Sequence, residues 1–290
     1  MTNRKQRKGI ATETISILEA GGYATPSEVW HDLRRAMEPC IEGTRLHLEK
    51  ETLHLTKPKD SHETEILLTN ETTLACARRL ALEQDSTLHL GALNFASAHC
   101  AGGGWQNGSL AQEESLAFCS GLYTSLQTNQ ARPYYEKHNS QSKKKLSRGS
   151  VKNYSSNMIF SPHVPVFRRD CDYELLEELY LCSFITSCAV NLRDAGDVAQ
   201  SEKEKSKQIM KARALRVLQV AAYHGIDVLI LGAWGCGVFK NEPTDVADAF
   251  RAALTKMKGR FRAVFFAVPG GKDDENYLAF LKYFRERADF

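Results

Sequence analysis

The sequence predicts an α/β protein, a mixed central sheet covered on both faces by helices in a three-layer α/β/α arrangement with an N-terminal helical extension. Three observations predict it. Apolar strand-like runs alternate with amphipathic helical segments from about residue 61 to the end. Some connections between them are too short or irregular for a uniform βαβ series, so the sheet is expected to be mixed. Two strand-like runs end in glycine-rich turns, "LNFASAHCAGGG" and "LGAWGCGVFKN", at the place where ligands gather in such sheets.

Each element follows from its pattern. Residues 8–39 read as helical, with Gly21-Gly22 as a stop and "TPSEVWHDLRRAM" as a restart entered through Thr25-Pro26. "TRLHLEKETLHLT" alternates as a strand or hairpin does. "TEILLT" is a strand, "ETTLACARRLALEQ" a helix, and "STLHLGALNFA" a strand running into the first glycine loop. "SLAQEESLAFCSGLYTSL" reads as one helix with Leu116, Cys119, Tyr123 and Leu126 on one face. "NMIFSP" and "LYLCSFITS" are strands, and Glu202 to His224 is a long helix stopped by Gly225. "DVLILGAWG" enters the second glycine loop, and "DVADAFRAALTKM" is amphipathic through Val246, Phe250, Ala253, Leu254 and Met257. "RAVFFAVP" is a buried strand, and "DENYLAFLKYFRER" closes the chain as a helix. The division is residues 1–60 as the extension, packed on a core of residues 61–290.

Composition bounds the function. A chain of 290 residues, 42% hydrophobic and 25% charged, has ample material for a core. No stretch reaches about 18 apolar residues, and the N-terminus lacks the apolar run of a signal peptide. Eight cysteines without CxxC pairs read as reduced thiols, so cytosol or nucleus is the expected compartment. The net charge of +3 neither demands nor excludes a polyanionic partner. Two basic runs stand out: "KHNSQSKKKLSRGSVKN", residues 137–153, and the N-terminal "NRKQRK". Both read first as solvated surface, with contact to an anionic polymer or nuclear import as the sharper alternatives.

The chemistry gathers at the glycine loops. Gly232, Gly235 and Gly237 follow GxxGxG, neither a dinucleotide fingerprint nor a Walker loop, but a turn able to aim several N–H groups at one anion. After Gly102, Gly103 and Gly104 come a spacer of seven and then Gln112-Glu113-Glu114. Ser109 and Gln112 suggest a capping box that places both glutamates in an exposed first turn, with Glu114 about 160° from Leu116 and so off the core stripe. The acids complement the helix dipole, but the dipole does not explain the glycines beside them. A backbone without side chains lets a ligand approach, and a carboxylate at its edge then reaches it. His31, His89, His99 and His163 have no metal-ligand spacing, and Cys236 has no recognisable histidine partner as a nucleophile.

"LNFASAHCAGGGWQNGSLAQEES" resembles the signature of the microbial poly(ADP-ribose) glycohydrolases: three glycines, a short spacer, then Gln-Glu-Glu. "TISILEAGGY", "MIFSPHVPVFR" and "VLILGAWGCGVFKNEP" resemble the family in the same order. The resemblance implies a macrodomain-like fold that binds ADP-ribose in a cleft and hydrolyses ribose–ribose O-glycosidic bonds without metal or organic cofactor. Poly(ADP-ribose) and ADP-ribosylated proteins are the implied partners, for a monomeric enzyme. By motif position it implies Glu114 as catalytic acid and Glu113 as the neighbour that holds a ribose hydroxyl. Asn94 would contact the distal ribose. Gly235, Cys236, Gly237 and Val238 would cradle the diphosphate, and Phe239 would pack on the ribose. Gly102, Gly103, Gly104 and Gln112 complete the expected ligand-binding set. The chain departs from the family at Ala101 and Cys188, where proline is common, and at Trp105, where phenylalanine is commoner. A non-catalytic ADP-ribose reader and a mono-ADP-ribose hydrolase are the rival readings, and the intact Gln-Glu-Glu argues against the reader.

Overall fold

The computed structural model describes residues 2–55, 63–83, 88–142, 151–196 and 199–286. Helix α1 (Arg4–Ala20) begins in a capping box between Asn3 and Gln6 and ends at Gly21, whose φ of 78° closes the helix in the left-handed region. A hairpin of β1 (Gly22–Ala24) and β2 (Trp30–Asp32) follows. The Thr25-Pro26 restart is therefore a hairpin turn. Helix α2 (Leu33–Gly43) begins later, where the Asp32 side chain accepts from Arg34 N. The chain continues through β3 (Arg45–His47), β4 (Glu65–Thr69), α3 (Thr73–Glu83), β5 (Leu90–Phe95) and a 3₁₀ turn at Trp105–Asn107.

The predicted single helix over residues 109–126 is broken into α4 (Gln112–Cys119) and α5 (Leu122–Leu126). Ser120 between them is extended and bridges to Val166, so sheet pairing there overrides helical periodicity. Helix α6 (Arg132–Ser142) occupies the first part of the segment read as a basic surface loop, and its His138 is buried. The lysine run at 143–145 and Arg148 lie outside the described residues. The long pair β6 (Met158–Arg168) and β7 (Leu175–Ser187) precedes α7 (Gln200–Tyr223), β8 (Val228–Leu231), α8 (Pro243–Lys256) and β9 (Ala263–Ala267). The closing helix stops early: α9 is Glu275–Leu281, and β10 (Arg285–Glu286) pairs with β4.

The main sheet runs β10-β4-β9-β8-β5-β7-β6-β3. Strands from β10 to β7 pair in parallel, while β6 and β3 pair antiparallel, so the sheet is mixed. The segment before residue 60 is not helical alone, since its β3 forms one sheet edge. Alternation along the strands splits the core into two layers. Ala92, Phe184 and Ile230 face a cluster with Leu116 and Phe118 of α4 and Leu74 and Leu80 of α3. Leu93, Ile185 and Leu229 face α7 and α8 through Val217, Leu218, Val246 and Phe250. The neighbouring parallel strands β5, β7 and β8 deliver their C-terminal ends to the same edge, which carries both glycine loops.

Candidate active site

Strand β5 ends at Asn94-Phe95, and α4 is locked to it by one side chain. Gln112 Oε1 accepts from Phe95 N (2.9 Å), while its Nε2 donates to Leu93 O (2.8 Å) and Thr73 Oγ1 (3.1 Å). Gln112 was expected to bind ligand. Its amide is instead occupied on both ends by the chain, which makes it a positioning residue. The expected capping box is absent: Ala111 is the N-cap, without a side-chain hydrogen bond. Tertiary bonds to β5 take Gln112, and Ser109 packs under Gly104.

The lock turns the two glutamates in different directions. Glu113 points into the protein and is 3% exposed, contrary to the exposed turn expected for both. Its Oε2 accepts from Ser97 N (2.6 Å), and Asn94 Nδ2 lies 3.5 Å from Oε1. Burial pushes its carboxyl up to about 8; the nearby Glu114 charge adds to the rise, and the bonds from Ser97, Asn94 and Gly102 oppose it. Glu114 is half-buried, and its Oε1 accepts from Gly104 N (2.9 Å). Asn94, fully buried, donates from Nδ2 to Thr186 Oγ1 (3.1 Å), while its Oδ1 has no partner among the described residues. An orphaned amide end beside two carboxyl groups is a ready contact for a hydroxyl.

The structure gives the triple glycine a steric reason beside the ligand approach expected from the sequence. A Cβ on Gly103 would run into Glu114 Oε1 and approach Glu113 Oε2. One on Gly104 would meet Ser109 Oγ at 2.6 Å, and one on Gly102 the Trp105 ring at 2.8 Å. Gly102 and Gly103 also have φ of 69° and 61°. The glycines let the loop close onto the carboxylates themselves.

The second loop, after β8, is fixed from behind and open in front. Trp234 is buried and donates from Nε1 to Ser187 O (3.1 Å); Asn241 Nδ2 donates to Val190 O (2.7 Å) and Gly235 O (3.1 Å). Gly235 sits at φ 77° against Ala189 and Asn241, whereas a Cβ on Gly237 would meet nothing within 4 Å. Val238 is 54% exposed, and half-buried Phe239 lies 6.2 Å from the Tyr154 ring. The backbone N–H groups of Gly235, Gly237, Val238 and Phe239 donate to no acceptor among the described residues. That is the donor set a diphosphate needs. Cys236 is half-buried and its thiol is pushed up to about 12, mainly by burial, which removes it as a nucleophile at neutral pH.

Sequence reasoning missed the neighbouring cleft. About 270 Å³ opens between Thr72, Thr73, Phe95, Ala267, Val268 and Asn276, contiguous with Gln112 and the foot of the second loop at Ala233. The signal was available: Thr72 and Val268 follow the C-terminal ends of β4 and β9, the same edge that carries the glycine loops. Helix α6 was missed too. It ties the rim together through Asn139 on His99 (Nδ1···Oδ1 3.0 Å), Tyr134 Oη accepting from Cys188 N (3.1 Å) and His138 Nε2 accepting from Ser155 N (3.0 Å). The histidines named from sequence do not converge. His31 bonds to Glu177 O, His89 to Ser183 Oγ, and His163 stacks on His89, while no group of three or more metal-ligating side chains forms among the described residues.

Comparison with known proteins matches residues 11–169 to the microbial-type PARG catalytic domain. No curated protein matches the chain. A solved poly(ADP-ribose) glycohydrolase from Thermomonospora curvata is 40% identical, covering 97% of this chain and 100% of its own, with a TM-score of 0.86. The same protein bound to the inhibitor ADP-HPD covers 96% and 99%, at 40% identity and a TM-score of 0.83. The Deinococcus radiodurans enzyme in complex with ADP-ribose is 39% identical over 85% of this chain and 96% of its own, with a TM-score of 0.70. With this site on this fold, the chain belongs to the microbial-type poly(ADP-ribose) glycohydrolase family.

Proposed function

We propose that this protein hydrolyses the ribose–ribose O-glycosidic bonds of poly(ADP-ribose) and releases ADP-ribose. The observation that carries the reading is that a half-buried carboxylate, Glu114, and a turn of four N–H donors without acceptors among the described residues follow neighbouring parallel strands, β5 and β8. The diphosphate takes the amides of Gly235, Gly237, Val238 and Phe239, and the adenosine half fills the apolar cleft between Thr72 and Val268. The distal ribose then lies over Gly103 and Gly104, against Phe239, with the free end of Asn94 toward a hydroxyl.

Such a bond breaks through an oxocarbenium-like state that needs a proton on the leaving oxygen and a positioned water. Adjacent glutamates do not flank the bond, so one carboxyl does both proton transfers. Glu114, the member with an open side, protonates the leaving 2′-oxygen and then takes a proton from water. The Gly104 N–H fixes one of its oxygens and leaves the other for this exchange. Glu113, buried and neutral up to about pH 8, keeps a second negative charge away from Glu114 and the diphosphate while it orients the ribose. The test is incubation with automodified poly(ADP-ribose) and chromatography of the products. ADP-ribose is the expected product; intact polymer alongside normal ADP-ribose binding would make the protein a reader.

A further inference from the structure

The N-terminal basic run is not generic solvated surface, because the fold sets it against the catalytic loop. Arg4 Nε donates to Asn107 O (2.9 Å) and Arg7 Nε to Gly108 O (2.9 Å). Gly108, at φ 72°, has no room for a Cβ because the Arg4 backbone occupies that place. The first turn of α1 therefore rests directly on the segment that continues from Gly104, the residue that holds Glu114. Asn107 N and Ser109 N both donate to Gly104 O (3.0 and 3.2 Å), so the segment that carries Gly108 closes back onto Gly104.

Two further cations stand on the same turns. At about 100° per residue, Lys8 lies about 40° from Arg4, while Lys5, about 100° from Arg4, faces outward from the buried stripe of Ala11, Thr14 and Ile17. Both are exposed, and none of Arg4, Lys5, Arg7 and Lys8 forms an ion pair among the described residues. The loop contacts account for Arg4 and Arg7 but not for Lys5 and Lys8. They stand in the first turns of a helix with no acidic residue there, at the end where the dipole disfavours positive charge. Four cations at the wrong end of a helix that docks on the loop continuing from Gly104 suit a phosphate-bearing chain.

We propose that the first two turns of α1 are a second binding surface for poly(ADP-ribose), contacting phosphates of the chain beyond the terminal ADP-ribose held in the cleft. The proposal rests on the glycohydrolase reading of the site. Arg4 and Arg7 anchor the loop and only secondarily face the polymer, whereas Lys5 and Lys8 are free to serve it.

The test is K5A/K8A in the full chain, which leaves the loop-anchoring arginines intact. With long poly(ADP-ribose), KM should rise several-fold with kcat unchanged. The slope of log(kcat/KM) against log salt should become shallower by about 1.4, two contacts at about 0.7 each for a single-stranded polyanion. ADP-ribose affinity measured by calorimetry should not move, and the thermal midpoint should hold or increase, opposite to a merely structural role. Unchanged polymer KM and salt slope would overturn the proposal. So would loss of single-stranded DNA binding with polymer KM unchanged, which would assign the surface to nucleic acid. A parent protein that binds ADP-ribose but leaves polymer intact would instead overturn the glycohydrolase reading, so the two failures are distinguishable.

Discussion

Replacing Glu113 with Gln should change how stability depends on pH, and the structure supplies the magnitude. The carboxyl is buried and its pKa is raised from 4.5 to about 8. A carboxyl raised in the folded state binds its proton more tightly there than in the unfolded chain. Its contribution is therefore fully present below about pH 4.5 and is lost as pH rises to about 8. Over that window the slope is about 1.4 kcal/mol per pH unit, so the parent should lose about 2 kcal/mol between pH 6 and pH 8 from this group alone. Glutamine is nearly isosteric with the protonated acid and does not ionise, so the variant lacks this loss. Urea unfolding of both proteins at constant ionic strength, from pH 5.5 to 9, isolates the effect, because titrating groups not coupled to Glu113 cancel in the difference. The variant should gain about 2 kcal/mol relative to the parent across that step. A difference independent of pH would refute the buried, protonated state of Glu113 and the neutral partner it provides to Glu114.

Other perturbations have equally definite outcomes. Glu114→Gln keeps an acceptor for Gly104 N but loses the transferable proton; kcat should fall about 10²–10⁴-fold, with ADP-ribose affinity within about tenfold by calorimetry. Gly103→Ala forces a side chain into Glu114 and a left-handed φ, so stability should drop by about 1–2 kcal/mol in chemical denaturation and turnover on the order of 100-fold. Gly237→Leu, at a position where a Cβ meets nothing within 4 Å, should leave the melting temperature unchanged and weaken ADP-ribose binding, because the side chain enters the phosphate's place. Gln112→Ala removes the lock between β5 and α4, leaving Phe95 N unpaired; a loss of about 1–3 kcal/mol in urea unfolding, together with reduced turnover, is expected.

The sequence by itself determined the alternation of strands and helices, the two glycine loops at strand ends and the pairing of glycines with Glu113 and Glu114. These are local signals: periodicity of 2 or 3.6, glycine clusters, and a motif contained within a single stretch of chain. Only the tertiary structure decided which way each carboxyl faces. Local capping rules placed Ser109 and Gln112 on their own helix and both glutamates in solvent. The bonds from Gln112 to Phe95 and Leu93 rotate α4 so that Glu113 is buried and Glu114 meets Gly104. Likewise the helix break at Ser120 comes from its bridge to Val166, and the end of the chain pairs with β4 rather than continuing α9. The cleft beside Thr72 and Val268 brings together residues almost 200 apart in sequence, and no local pattern encodes such a meeting. What the composition of "NRKQRK" left as ordinary solvated charge acquires a place only when α1 docks on Asn107 and Gly108. Propensity acts within a few residues, whereas burial and hydrogen-bond satisfaction act across the whole chain, and at this site the second pair dominates.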